Sequence, residues 1–248
     1  MAGHSKWNNI KRRKAASDSK RGKLFTRLLR EIQVAAKMGG SSVESNPRLK
    51  NAVQSAKSLS VPADNIERAI NRGTGQIEGA EYEEVTYEAY GPGGVAIIIK
   101  SLTDNRHRTA AELRHVLSRN NGNLAGSNAV LHNFKLFGVI SVPKTAIAEE
   151  QLFALVVDRG AEDLKDEDSH WEVYFPPEKM SAARQALESS NLDLQAEVKW
   201  IPLVSVNVSG ETAKSLFQLL DALDDLDDVQ SFTANFEVDE SELLSLGQ

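Results

Sequence analysis

The chain has 248 residues, 41% hydrophobic and 26% charged, with a formal net charge of −6 and a pI of about 5.5. These values exclude wholesale disorder and allow two or three cores, and the absence of cysteine excludes disulfides, thiolate metal sites and thiol nucleophiles. The net charge conceals a division: residues 1–72 carry 16 Lys+Arg and 5 Asp+Glu, a net of +11, whereas residues 73–248 carry −17. So large a block asymmetry marks one end for a polyanionic partner.

Residues 1–20 are polar and cationic, with apolar positions only at Trp7 and Ile10, and read as a flexible basic arm. From Arg21 to Met38 the residues Leu24, Leu28, Ile32 and Ala35 recur at helical spacing, and Gly39-Gly40 supplies the stop. A second helix starts behind Pro47. A third begins near Pro62 or Asp64, where Asp64 and Glu67 have capping-box spacing, and ends at Gly73. Residues 21–78 therefore read as a small helical domain.

The period then changes to two. EEVTYEAYG, the turn GPGG and VAIIIKSL read as a hairpin. Asp104 is placed to cap a helix through Leu113 and Leu117, and Ala129–Phe134 and Gly138–Val142 read as strands around a turn. Next come a helix (147–159), a strand stopped by Pro176-Pro177, a helix (178–189) and a strand (196–200). The chain closes with strand 203–208, helix 212–223 and strand 229–238. Two rounds of mixed strands and helices imply an α+β protein with two small α/β sandwiches, and periodicity leaves open whether one is inserted in the other.

The longest apolar run, Val95–Ile99, falls far short of the roughly 20 residues a bilayer-spanning helix needs. No apolar segment follows the charged N-terminus as a secretory signal requires, so a cytoplasmic protein without a membrane partner is expected. The five histidines lack metal-site spacing, GPGG lacks the ending of a phosphate loop, and no carboxylate pair stands out as a general acid. The expectation is no enzyme, no cofactor and no metal. The acidic run DALDDLDDVQ lacks the glycine and spacing of a calcium loop; it reads first as a solvated face and second as a dock for a basic partner.

The arm differs in kind. Lys6, Lys11, Arg12, Arg13, Lys14, Lys20, Arg21, Lys23, Arg27 and Arg30 put ten positive charges in thirty residues against Asp18 alone. Such density displaces counterions from phosphates, and Trp7 offers a ring on which an unpaired base can stack. Arg106 and Arg108, where a strand hands over to a helix, form a second cationic spot.

MAGHSKWNNIKRRKAASDSKRGKLFTRLLREI, with VPADNIERAI, YEAYGPGGVAIII, TDNRHRTAAELR and LDDLDDVQ, closely resembles the YebC family almost end to end. The bacterial members are described as transcriptional regulators, and the family includes the mitochondrial translational activator of cytochrome c oxidase. The resemblance implies a helical N-terminal domain and two ferredoxin-like α/β domains. One of these, over 135–202, would be inserted into the other, split over 79–134 and 203–240. His4, Ser5, Lys6, Trp7, Lys11 and the basic run to Lys23 match the family's N-terminal signature, and Asp104, Asn105, Arg106, Arg108 and Thr109 match its TDNxxRT motif.

Two functions follow from this. The favoured one is a ribosome-associated, RNA-binding translation factor that relieves stalling at proline-rich stretches, its arm entering ribosomal RNA. The alternative is a DNA-binding transcriptional regulator acting at promoters. For that, the third helix would present Asn65, Arg68, Asn71 and Arg72 to a groove, though it is acidic at its start. The expected state is a monomer.

Overall fold

The computed structural model describes residues 18–190 and 192–239. Residues 131–204 form one compact unit, and the described residues on either side of them form the other. The sequence reading drew the corresponding boundaries at 135 and 202, and it divided the flanking unit into a helical and a sheet-bearing domain.

The flanking unit opens with α1 (Asp18–Gly39), so the arm expected over residues 1–20 gives way to helix three residues early. α2 (Pro47–Ser58) carries Pro47 at its first turn, where a missing N–H costs nothing. Its cap, the buried Asn46, accepts the Leu49 N–H at 3.1 Å and donates to the carbonyls of Ala35 (2.8 Å) and Gly40 (3.0 Å). One side chain thus starts α2 and ties it to the end of α1. α3 (Ala63–Gly73) follows Pro62, which occupies the cap position without a side-chain acceptor. The expected Asp64–Glu67 capping box therefore does not form: Asp64 lies already inside the first turn. Ile32, Ala35, Leu49, Ala56, Ile66 and Ala69 make the core of this bundle.

Gly73 sets how closely α3 approaches α1. A β-carbon there would lie 2.2 Å from the Gln33 carbonyl oxygen and 2.9 Å from the Ala36 β-carbon.

β1 (Glu83–Tyr90) and β2 (Ala96–Thr103) form the expected hairpin through Gly93 and Gly94, both at positive φ. β3 (Asn123–Leu124) pairs with β1, and β9 (Val229–Ala234) pairs with β2, giving the antiparallel order β3-β1-β2-β9. α4 (Arg106–Arg119) and α7 (Gly210–Asp224) supply Leu113, Leu117, Leu216, Leu219 and Leu220 to a core shared with Ile97 and Ile99. Of the strand expected over 203–208, only β8 (Val206–Asn207) pairs, in parallel with β10 (Phe236–Glu237).

Of the strand expected over 129–134 only Phe134 is extended; 129–130 bend and Leu131–Asn133 form a single 3₁₀ turn. The buried Glu88 sets the bend at 128–130, its carboxylate accepting the N–H groups of Asn128 (2.5 Å) and Val130 (2.7 Å).

In the second unit β4 runs unbroken over Phe134–Pro143, where a turn was expected before Gly138. Gly138 pairs with both Phe175 and Val198, and its missing side chain makes room for Met180, whose β-carbon would lie 2.6 Å from an added one. α5 (Glu149–Val156), β5 (Asp163–Asp166), β6 (His170–Phe175), α6 (Pro177–Ser189) and β7 (Gln195–Pro202) complete a βαββαβ run with sheet order β5-β6-β4-β7. Ile140, Val142, Leu152, Val173, Phe175 and Leu187 fill its core. The protein is α+β.

Substituting Gly73→Ala forces α3 away from α1. It should lower stability by about 1–3 kcal/mol in urea unfolding, whereas Gly22→Ala, at an open position on α1, should be neutral or stabilising.

Candidate nucleic-acid interface

Lys23, Arg27 and Arg30 stand at i, i+4 and i+7 on α1 and share one stripe of the helix. That stripe meets the end of α7 and the loop into β9, where the acidic run lies. Lys23 Nζ donates to the carbonyl and a carboxylate oxygen of Asp225, each at 3.0 Å. Arg27 donates to the Asp224 carboxylate at 2.9 Å and to the Asp224 carbonyl. Arg30 donates to the Asp227 carbonyl and, at 2.9 Å, to Asp228 Oδ1, while its guanidinium lies over the Tyr82 ring, 5.0 Å from the centroid.

This arrangement resolves a local conflict. The last carbonyls of a helix lack partners and carry partial negative charge, so carboxylates clustered there are unfavourable. The α1 cations answer the carbonyls and the carboxylates together. The acidic run, expected as a solvated face or a dock for another protein, receives a basic segment of its own chain.

Asp228 is the centre of the site. It is 3% exposed. Oδ2 accepts from Arg108 Nη2 at 2.8 Å and from the Thr109 hydroxyl at 2.7 Å, with the Thr103 hydroxyl at 3.3 Å. Burial pushes its carboxyl up, but hydrogen bonds from Arg108 and Thr109 and the charges of Arg108 and Arg30 outweigh burial and hold it below the ordinary aspartate value.

The second cationic spot is paired as well. Arg108 bridges Asp228 and Asp104 (2.8 Å each), and both carboxylates push its guanidinium up. Arg106 forms a two-bond fork with Glu83 at 2.6 and 2.5 Å, which lowers the Glu83 carboxyl. Asn105, rather than Asp104, caps α4 by accepting the Arg108 N–H at 3.0 Å. Asp104 is free of that duty and turns to the Arg108 side chain.

Lys23, Arg27, Arg30, Arg106 and Arg108 are thus each placed against an acid. Of the other candidates, His4, Ser5, Lys6, Trp7, Lys11, Arg12, Arg13 and Lys14 lie outside the described residues, and Lys20 and Arg21 fall in the first turn of α1. Sequence reasoning named Thr109 only within the TDNxxRT motif and Asp228 only within the acidic run, joined neither to the cationic residues, and missed Thr103. The signal available was the opposite sign of two clusters some two hundred residues apart.

Removing the hub strands Arg30, which is mostly buried. Asp228→Ala should cost about 3 kcal/mol, the low end for breaking a buried ion pair because Arg108 keeps access to water. Since the folded-state pKa of Asp228 lies below the ordinary value of 3.8, its contribution is present above that pH and is lost as pH falls through the folded value. Asp228→Asn should therefore flatten the stability profile below about pH 4 in denaturant titrations.

A family model described as the TACO1/YebC protein N-terminal domain matches residues 5–76, and one described as the TACO1/YebC second and third domain matches residues 82–236. The chain is 50% identical over 241 residues to a probable transcriptional regulatory protein of Gemmatimonas aurantiaca, covering 97% of this chain and 98% of that one. It is 48% identical over 244 residues to another so named from Pseudothermotoga lettingae, covering 98% and 96%. The crystal structure of a conserved hypothetical protein from Aquifex aeolicus is similar with a TM-score of 0.79 at 43% identity, over 90% of this chain and 93% of that one. Matches spanning both the helical and the α/β segments identify the chain as a member of the TACO1/YebC family.

Proposed function

We propose that the chain is a non-enzymatic, nucleic-acid-binding regulator of gene expression that acts on the ribosome as an RNA-binding translation factor, relieving stalling at proline-rich stretches. The observation that carries this reading is the division of charge. The acidic loop answers Lys23, Arg27 and Arg30, while the sequence ahead of them adds Lys6, Lys11, Arg12, Arg13, Lys14, Lys20 and Arg21, with Asp18 alone opposing. These seven cations, with His4, Ser5 and Trp7, form the main contact. Arg106, Arg108 and the α1 cations join only by exchanging a carboxylate for a phosphate, which keeps their share small. In this reading the protein is a cytoplasmic monomer.

A second reading is a DNA-binding regulator at promoters. It is favoured by the name shared by the curated relatives, probable transcriptional regulatory protein, and by the exposed Arg68 and Arg72 of α3. A recognition helix, however, enters the major groove with its N-terminal residues. α3 has the exposed carboxylates Asp64 and Glu67 at that end, which repel a phosphate backbone.

Sucrose-gradient fractionation of lysate distinguishes the two. Co-migration with ribosomal subunits supports the translation factor, and selective retention of promoter fragments against excess competitor DNA supports the transcription regulator. Deleting residues 2–17 should remove most of the affinity for RNA and most of its salt dependence and leave the melting temperature unchanged; a truncated chain that binds as before removes the arm from the account. Trp7→Ala should weaken binding to single strands by about 1–3 kcal/mol and to duplexes much less, and equal losses on both would count against stacking.

A further inference from the structure

The acidic loop serves one side of α1. On its other side, α1 and α3 enclose a groove to which Arg30, Arg68, Arg72, Asn65, Gln33 and Tyr82 all contribute and which, among the described residues, no carboxylate lines. This inverts the pattern of the interface described above, where every cation faces an acid. Asn65, Arg68 and Arg72 stand at i, i+3 and i+7 of α3, on the face that Ala69 anchors to α1. Arg68 and Arg72 are exposed, and among the described residues neither forms an ion pair.

The groove is preformed. Gly73 lets α3 lie close against α1, and Gln33 holds the linker by donating to the Ala80 carbonyl at 2.6 Å. The Arg72 stem rests on that linker: a β-carbon added to Gly79 would lie 3.1 Å from Arg72 Cδ. Arg30, already answered by Asp228, stacks on Tyr82 and closes the wall. Two guanidinium forks one helical turn apart are thereby presented on one face, and the Arg72 stem already rests on the linker. The open space is about 250 Å³, less than a drug-sized ligand occupies, and it suits a stretch of extended backbone better than an enclosed small molecule.

We propose that this groove is a phosphodiester-binding site separate from the N-terminal arm: Arg68 and Arg72 take neighbouring phosphates of a single strand, and Asn65 faces the adjoining sugar or base edge. The proposal rests on the reading that the chain binds nucleic acid and adds a second site to it. An arm and a groove on one chain bind the same strand twice, so each raises the effective concentration of the other.

The test is fluorescence anisotropy of the full-length chain with labelled RNA and DNA single strands of identical sequence, from about 50 to about 200 mM KCl. Arg68→Gln/Arg72→Gln should lower the slope of log affinity against log salt by about 1.4, two phosphates at about 0.7 each. The parent then loses roughly sevenfold more affinity than the variant over that range. Lys50→Gln/Lys57→Gln removes the same charge from exposed positions of α2 and should leave the slope unchanged. Arg68→Gln alone, which touches no linker contact, should show about half the effect. A loss on RNA alone, or on RNA and DNA alike, supports the site and names its source. A parental slope in the double variant, or an equal loss from the α2 control, overturns the groove and leaves the regulator reading intact. A parent chain that binds neither strand overturns both.

Discussion

The interaction on which the flanking unit depends is the buried carboxylate of Asp228, held between Arg30 of α1 and Arg108 of α4. A lone buried carboxylate costs several kcal/mol. Here two guanidinium groups and a threonine hydroxyl repay that cost, and only when α1, α4 and the start of β9 are all in place. The same residue also continues the sheet, its carbonyl accepting the Leu102 N–H at 2.9 Å. Helical bundle and split sheet are tied at this side chain, with Lys23–Asp225, Arg27–Asp224 and Arg48–Glu84 beside it, and the two belong to one compact unit.

Around that hub the chain answers its own charge. Four of the five acidic residues between Asp221 and Asp228 that follow or end α7 meet a cation of α1 through carboxylate or carbonyl. The loop presents α1 with carboxylates much as a nucleic acid presents phosphates, so any polyanion that approaches α1 competes with a partner already at full effective concentration. Among the described residues, Arg68 and Arg72 of α3, beside the groove with α1, meet no carboxylate of that loop.

Much of the fold was legible because it is encoded locally. Leu24, Leu28, Ile32 and Ala35 repeat at 3.6 residues, Pro47 and Pro177 open helices, and GPGG turns a hairpin. What was illegible depended on distant partners. The segment 129–134 has strand-like composition, but Glu88, some forty residues upstream, takes the amide hydrogens of Asn128 and Val130 at its start. Gly138 looks like a turn residue, but it sits mid-strand because Met180 of α6 needs the room. The capping box at Asp64 and Glu67 failed by two positions, since Pro62 holds the cap, which spacing alone does not resolve.

The sequence by itself determined the family, the α+β class, the order of the main elements and the segregation of charge, because these follow from short-range pattern and from counting. Only the tertiary structure decided which charges are spent against one another. Arg27 and Asp224, or Arg30 and Asp228, lie some two hundred residues apart, and no local spacing relates them. Their pairing exists because folding brings α1 against the end of α7, and the same packing leaves Arg68 and Arg72 exposed beside a groove that, among the described residues, no acid lines.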